Sequence, residues 1–325
     1  MTWSREALAL DVSGAIERIT ATIRREVLGN FRKKGAVVGL SGGVDSSVVA
    51  ALCVKALGRE RVLALFMPER DSSSDSLRLG REMAERLGVE SLVEDIAPAL
   101  TAFGCYDRQI EAIRTVFPEY GAGWKHKLTL PSLLEGERVG VSLLTVQSPD
   151  GQLRTSRLPA AAYLQLVAAT NFKQRTRKTY EYYHADRLNY AVAGTPNRLE
   201  YDQGFFVKGG DGLADFKPIA HLYKTQVYAL AAALDVPEEI RARPPTTDTY
   251  SLPQGQDEFY FSLPYDKMDL SLSAYEQGVS AEELGRVLSL TAEQVLRIYR
   301  DIEAKRRVAR YLHSAPVLVE PLPGK

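Results

Sequence analysis

The turn Gly39-Leu40-Ser41-Gly42-Gly43-Val44-Asp45-Ser46 joins an apolar run, Ala36-Val37-Val38, to a stretch of small apolar residues. A glycine-rich turn between a buried strand and a helix exposes backbone N–H groups at the helix's positive end, which suits phosphate. Gly42 and Gly43 let a ligand approach the backbone, and Ser41, Ser46 and Ser47 carry hydroxyls that can donate to phosphate oxygens. The spacing matches neither the GxxxxGK[ST] phosphate loop nor the dinucleotide GxGxxG. Where a lysine would open the helix, this chain has Asp45. A carboxylate beside a polyphosphate repels it unless a cation lies between them, so Asp45 reads as a ligand for Mg²⁺.

A second stretch with chemical potential is Asn171-Phe172-Lys173-Gln174-Arg175-Thr176-Arg177-Lys178, followed by Tyr180, Tyr182 and Tyr183. Basic and aromatic residues on one helix suit a solvated face, a nucleic-acid stripe or a site for a small anionic ligand. The 41 basic and 41 acidic side chains cancel, which gives no overall pull towards nucleic acid or a membrane. Cys53 and Cys105, the two cysteines, exclude a disulfide framework and a cysteine-based zinc site. With no run of about eighteen apolar residues, the expectation is a soluble, cytoplasmic protein.

The elements that must hold these residues follow from periodicity. Ile16, Ile19, Ile23 and Val27 recur at helical spacing and predict an N-terminal helix to about Leu28. Strands are predicted at 36–40, 61–67, 91–96 and 189–195, with helices after the turn as far as Gly58 and over 74–88. Alternating strands and helices imply right-handed crossovers and an α/β fold with a doubly wound parallel sheet and flanking helices. Between about 121 and 159 the pattern breaks, and Asp150-Gly151 predicts a β-hairpin inserted into that core. A plain surface hairpin, a lid and a subunit contact all remain open for it. Helix resumes through 160–187 and 225–235, residues 243–258 read as a long functional loop, and the C-terminal part is helical with Thr291 as a cap. Residues 1–325 are expected to form one domain.

Taken alone, SGGVDS after a buried strand resembles the pyrophosphate-binding loop of the N-type ATP pyrophosphatases. Five further segments, NFKQRTR, GTPNRLE, GFFVKGGDGLADFKPI, LYKTQ and RPPTTD, follow in the order and near the spacing found in the ammonia-dependent NAD synthetases. The likeness covers the loop and then about 171–310. It implies ATP-dependent amidation of deamido-NAD with ammonia, giving NAD, AMP and pyrophosphate through an acyl-adenylate.

Residue roles carried over by this resemblance are as follows. Gly39 to Ser46, Thr195, Lys224 and Thr246 would bind ATP, and Asp45 with Glu200 would hold Mg²⁺. Arg175, Tyr182, Phe205, Lys208, Asp215 and Lys305 would bind deamido-NAD, with Tyr182 and Phe205 against the nicotinate ring. Asp211 would deprotonate ammonium at the point of attack, and Asp45, Asp211 and Lys224 form the catalytic set. The family also implies a homodimer with the deamido-NAD site near its interface. Two departures stand out: G-T-D-H-A-A-E becomes GTPNRLE, and a His-Lys pair becomes Ala304-Lys305. The 38 residues before Gly39 are too few for a nitrilase-like glutaminase, so free ammonia or a separate glutaminase is the expected nitrogen source. Alternatives are an adenylating amide ligase for another carboxylate and a catalytically silent nucleotide-binding module.

Overall fold

Strand β1 (Ala36–Gly39) lies inside a parallel sheet, as its unbroken apolar run predicts. The computed structural model describes residues 3–130, 142–246, 249–255, 260–261 and 263–320. Its main sheet has the order β3-β2-β1-β7, with β2 at Val62–Phe66, β3 at Glu90–Val93 and β7 at Ala191–Ala193. Every pair is parallel, and Ala36 faces Val62 on one side and Ala191 on the other.

Alternation along the strands sorts their side chains between two cores. Ala36, Val38, Ala64 and Phe66 pack with α1 (Val12–Arg24), α2 (Val44–Leu57), α3 (Ser74–Leu87) and α8 (Lys224–Ala233). Val37, Leu63, Leu65 and Val192 pack with Ala185 of α6 (Ala160–Leu188) on the opposite face. Both faces are covered, which is the doubly wound arrangement. The chain steps outward from β1 to β2 and β3, then returns as β7 on the other side of β1. That reversal opens a crevice at the carboxyl ends of β1 and β7, where such sheets bind ligands.

The inserted region is larger than a hairpin. The predicted pair is present as β5 (Leu143–Gln147) and β6 (Leu153–Arg157), and β4 (Lys125–Thr129) adds a third antiparallel strand on the far edge of β5. Lysines at 125 and 127 hid β4 in the sequence, although His126 and Leu128, which alternate with them, are buried. Residues 138–141 of the predicted hairpin lie outside the described residues. Leu128, Leu144 and Val146 share a small core with Ile113 of α5 (Cys105–Arg114), Leu166 of α6 and Tyr250.

The remaining α-helices among the described residues are α4 (Ala97–Ala102), α7 (Arg198–Gln203), α9 (Glu238–Ala242), α10 (Tyr265–Glu276), α11 (Ala281–Leu288) and α12 (Ala292–His313). Thr291 caps α12 by accepting from Gln294 N, as the sequence predicts. Cys53 is fully buried in α2, and burial pushes its thiol up to about 12. Among the described residues no helix is long and apolar enough to cross a membrane.

Candidate active site

The glycine turn after β1 is built as its composition requires. Gly42 has φ +74°, and a Cβ there would sit 2.4 Å from the Ser76 carbonyl oxygen, so only glycine fits. Ser46 Oγ accepts from Ser41 N at 3.2 Å and donates to Gly43 O at 3.1 Å, which folds the turn back onto the helix. No side chain caps the start of α2, so its first N–H groups stay available for a ligand.

Three charged side chains meet beside this turn. Lys224 Nζ pairs with Asp45 Oδ2, and Lys224 is 1% exposed. Glu200, also buried, comes from α7 beyond β7. One of its oxygens accepts from Asn197 N at 3.0 Å, while the Asn197 side chain accepts from Glu200 N and donates to Asp45 Oδ1 at 3.3 Å. The GTPNRLE departure thus places Asn197 as both helix cap and bridge to Asp45. Asp269 of α10 accepts from Lys224 N at 3.2 Å and Thr225 N at 2.7 Å, fixing the start of α8. Neither Asn197 nor Asp269 was singled out in the sequence. A capping-box spacing signals the first, while nothing in sequence links Asp269 to Lys224.

The electrostatics are short of one positive charge. Burial and the Asp45 carboxylate raise Glu200 to about 8, against the pull of Lys224. Burial alone would lower Lys224, but Asp45 and Glu200 overcome it and raise its affinity for the proton. The buried Glu200 and half-buried Asp45 carboxylates facing one ammonium fit an added divalent cation, which would replace the proton that Glu200 otherwise keeps. Among the described residues no group of three His, Cys, Asp or Glu side chains gathers. A pair is sufficient for Mg²⁺, which commonly takes one or two carboxylates and completes its shell with phosphate oxygens and water.

One cavity of about 900 Å³ collects most of the sequence-predicted residues. Gly39, Leu40, Ser41, Gly43, Val44, Asp45 and Ser46 line it, as do Thr195, Glu200, Lys224 and Thr246. Gly42 lies behind the wall, against α3. Arg175, Phe205, Lys208 and Asp211 also line the cavity. Val207 N donates to Asp211 Oδ1 at 2.8 Å, and burial raises the Asp211 carboxyl, making it the stronger base. Lys208 Nζ donates to the carbonyls of Tyr311 and Ser314, so the end of α12 steadies it. The cavity also contains a buried ion pair of Lys178 and Glu181 at 2.6 Å, which the basic run had signalled only through its lysine.

Three predicted deamido-NAD residues are not brought into this cavity. The Tyr182 hydroxyl donates to Asp215 Oδ1 at 3.1 Å, and Asp215 Oδ2 accepts from Val192 N at 2.7 Å. These two secure each other beside β7, outside the cavity wall. Lys305 is buried in α12, paired with Asp301 at 2.6 Å and 4.8 Å from the centre of the Tyr260 ring. It touches a ring that lines the cavity without lining it itself. Residues 247–248 and 256–258 of the predicted functional loop lie outside the described residues.

A family model described as NAD synthase matches residues 15–115 and 145–309. The chain belongs to the NAD synthase family. The match passes over 116–144, which includes β4. A curated relative named NH(3)-dependent NAD(+) synthetase, from Mesorhizobium japonicum, is 62% identical over 311 residues, covering 96% of this chain and 98% of its own length. Among solved structures, NMN synthetase from Francisella tularensis aligns with TM-score 0.65 and 22% identity, covering 95% of this chain and 99% of that one. The NH3-dependent NAD synthetase from Campylobacter jejuni aligns with TM-score 0.63 and 24% identity, covering 96% and 100%. These two likenesses establish the shared fold.

Proposed function

We propose that this protein catalyses the ATP-dependent amidation of deamido-NAD with ammonia to give NAD, AMP and pyrophosphate. The observation that carries this reading is the single cavity in which an uncapped helix N-terminus, the Asp45, Glu200 and Lys224 cluster, and the Arg175, Phe205, Lys208 and Asp211 group face one another. The high identity to a relative of matching length named for that activity supports the choice of acid.

The turn after β1 binds the ATP phosphates through backbone N–H groups and serine hydroxyls, with Thr195 and Thr246 as further nucleotide contacts. Asp45 and Glu200 would hold Mg²⁺, which supplies positive charge against the departing pyrophosphate. Lys224 adds a fixed charge beside it. The nicotinate carboxylate, oriented by Arg175, Lys208 and the Phe205 ring, attacks the α-phosphorus, and the bond to the β-phosphate oxygen breaks. Asp211 takes a proton from ammonium, the nitrogen attacks the acyl carbon, the bond from that carbon to the AMP phosphate oxygen breaks with its electron pair on AMP, and the nitrogen releases a second proton to solvent to leave the amide. No protein nucleophile is needed, because catalysis rests on positioning and charge.

The chain is read as one cytoplasmic ATP pyrophosphatase-type domain that works as a homodimer on free ammonia, or on ammonia from a separate glutaminase. Purified protein with ATP, Mg²⁺, ammonium and deamido-NAD is expected to form NAD, AMP and pyrophosphate in equal amounts. Asp45→Ala is expected to lower the rate by about a hundredfold or more, the scale for losing a charge-stabilising group. ADP as a product would reject the reaction class, and turnover only with the mononucleotide acid would reject the substrate.

A further inference from the structure

Lys173 opens the basic run, yet its ammonium does not line the cavity. It is fully buried, and it donates to Glu69 Oε1 at 2.9 Å, Asp71 Oδ2 at 2.8 Å and Thr249 O at 2.8 Å. Three protons meet three acceptors. Tyr106 secures the far oxygen of Glu69 by donating to Oε2 at 3.0 Å. The acceptors belong to two segments that wall the same cavity. Glu69 and Asp71 sit in the turn after β2, whose Ser72 and Ser73 line it, and Thr249 sits in the 243–255 segment with Pro244, Pro245 and Thr246.

A second anchor for the 243–255 segment comes from β4. His126 N donates to Ser251 Oγ at 2.9 Å, Leu252 N donates to His126 O at 3.1 Å, and Gln254 Nε2 donates to Leu128 O. The Tyr250 ring meets the His126 ring edge-on with centroids 5.6 Å apart. Gly255 then pairs back with Thr246 in an antiparallel bridge. Strand β4, which the family match passes over, therefore holds residues 251–254, and the bridge from Gly255 reaches Thr246.

We propose that Lys173 and strand β4 are positioning elements for ATP: together they hold residues 249–255 and, through the bridge from Gly255, Thr246 against the nucleotide end of the cavity. This rests on reading Thr246 as an ATP contact. A proline-rich stretch without helix or strand among its described residues gains its shape from these fixed hydrogen bonds, and a preformed wall spares the ligand the cost of ordering it.

The test compares Lys173→Met and Ser251→Ala with the wild-type protein in steady-state kinetics and in thermal melting with each ligand alone. Ser251→Ala removes the anchor on His126 without stranding a charge. Its KM for ATP is expected to rise about threefold to tenfold, the scale of one lost hydrogen bond. Its kcat and its KM for deamido-NAD are expected to stay near wild type. The rise in melting temperature on adding ATP is expected to shrink while the rise with deamido-NAD persists. Lys173→Met is expected to move ATP binding further in the same direction; should it fail to fold, Ser251→Ala decides. Wild-type ATP binding in a folded Ser251→Ala protein overturns the proposal, as does an equal change in KM for every substrate. Absence of NAD formation by the wild-type protein rejects the function itself and is read separately.

Discussion

Lys224 is where residue chemistry and stability meet. Its buried ammonium pairs with Asp45 beside the buried Glu200, and the lysine that the turn lacks in sequence arrives from α8. Breaking a buried pair by removing one partner leaves the other charge uncompensated, at about 3–5 kcal/mol. Lys224→Met is therefore expected to lose stability on that scale in a chelator, measured by urea unfolding. A divalent cation binding the two freed carboxylates would bring much of it back, because a ligand selective for the folded state stabilises it by mass action. If Mg²⁺ raises the midpoint of the variant no more than that of the wild type, the carboxylates are not a metal pair. The sequence already pointed to Asp45, whose type is at odds with a phosphate loop unless a cation intervenes. Glu200 and Lys224 had no local signal and came only through the resemblance, since what brings them to the site is burial beside Asp45.

At the scale of elements, strong periodicity translated well and mixed composition did not. Runs such as Val62–Phe66 are apolar because both faces are covered, so their burial is written in their residue types. Strand β4 escaped notice because its outward positions are lysines and one inward position is His126, a polar residue buried to 2% exposure. That histidine carries a measurable consequence. Burial holds the ring at about 3, well below its ordinary value of 6.5. The unfolded chain thus binds a proton that the folded chain refuses between those limits, and stability falls as pH drops through that window. Its Nδ1 lies 2.8 Å from the Tyr120 hydroxyl. His126→Asn keeps an acceptor near that place and cannot take the proton. The variant is expected to show a flatter loss of stability from pH 6.5 towards pH 4 than the wild type in denaturant titrations, even if its stability at pH 7.5 is lower. Parallel curves would mean that His126 is not the group responsible.

For the whole molecule, the two substrates are served unequally by one chain. All the residues assigned to ATP except Gly42 line the cavity, and Gly42 shapes the turn from behind. Of those assigned to deamido-NAD, Arg175, Phe205 and Lys208 line it, whereas Tyr182, Asp215 and Lys305 do not. Tyr182 and Asp215 bond to each other beside β7, so contact with a dinucleotide in this cavity would need a second subunit to extend the site. A homodimer would join these halves, and the two substrates would then respond differently to its dissociation. Dilution below the dimer's dissociation constant, followed by sedimentation, is expected to raise the KM for deamido-NAD while ATP binding, read by the nucleotide's own fluorescence analogue, changes little. Full activity on deamido-NAD in a protein that sediments as a monomer would place the whole dinucleotide site within one chain, and Tyr182 and Asp215 would then be structural residues of the β7 edge.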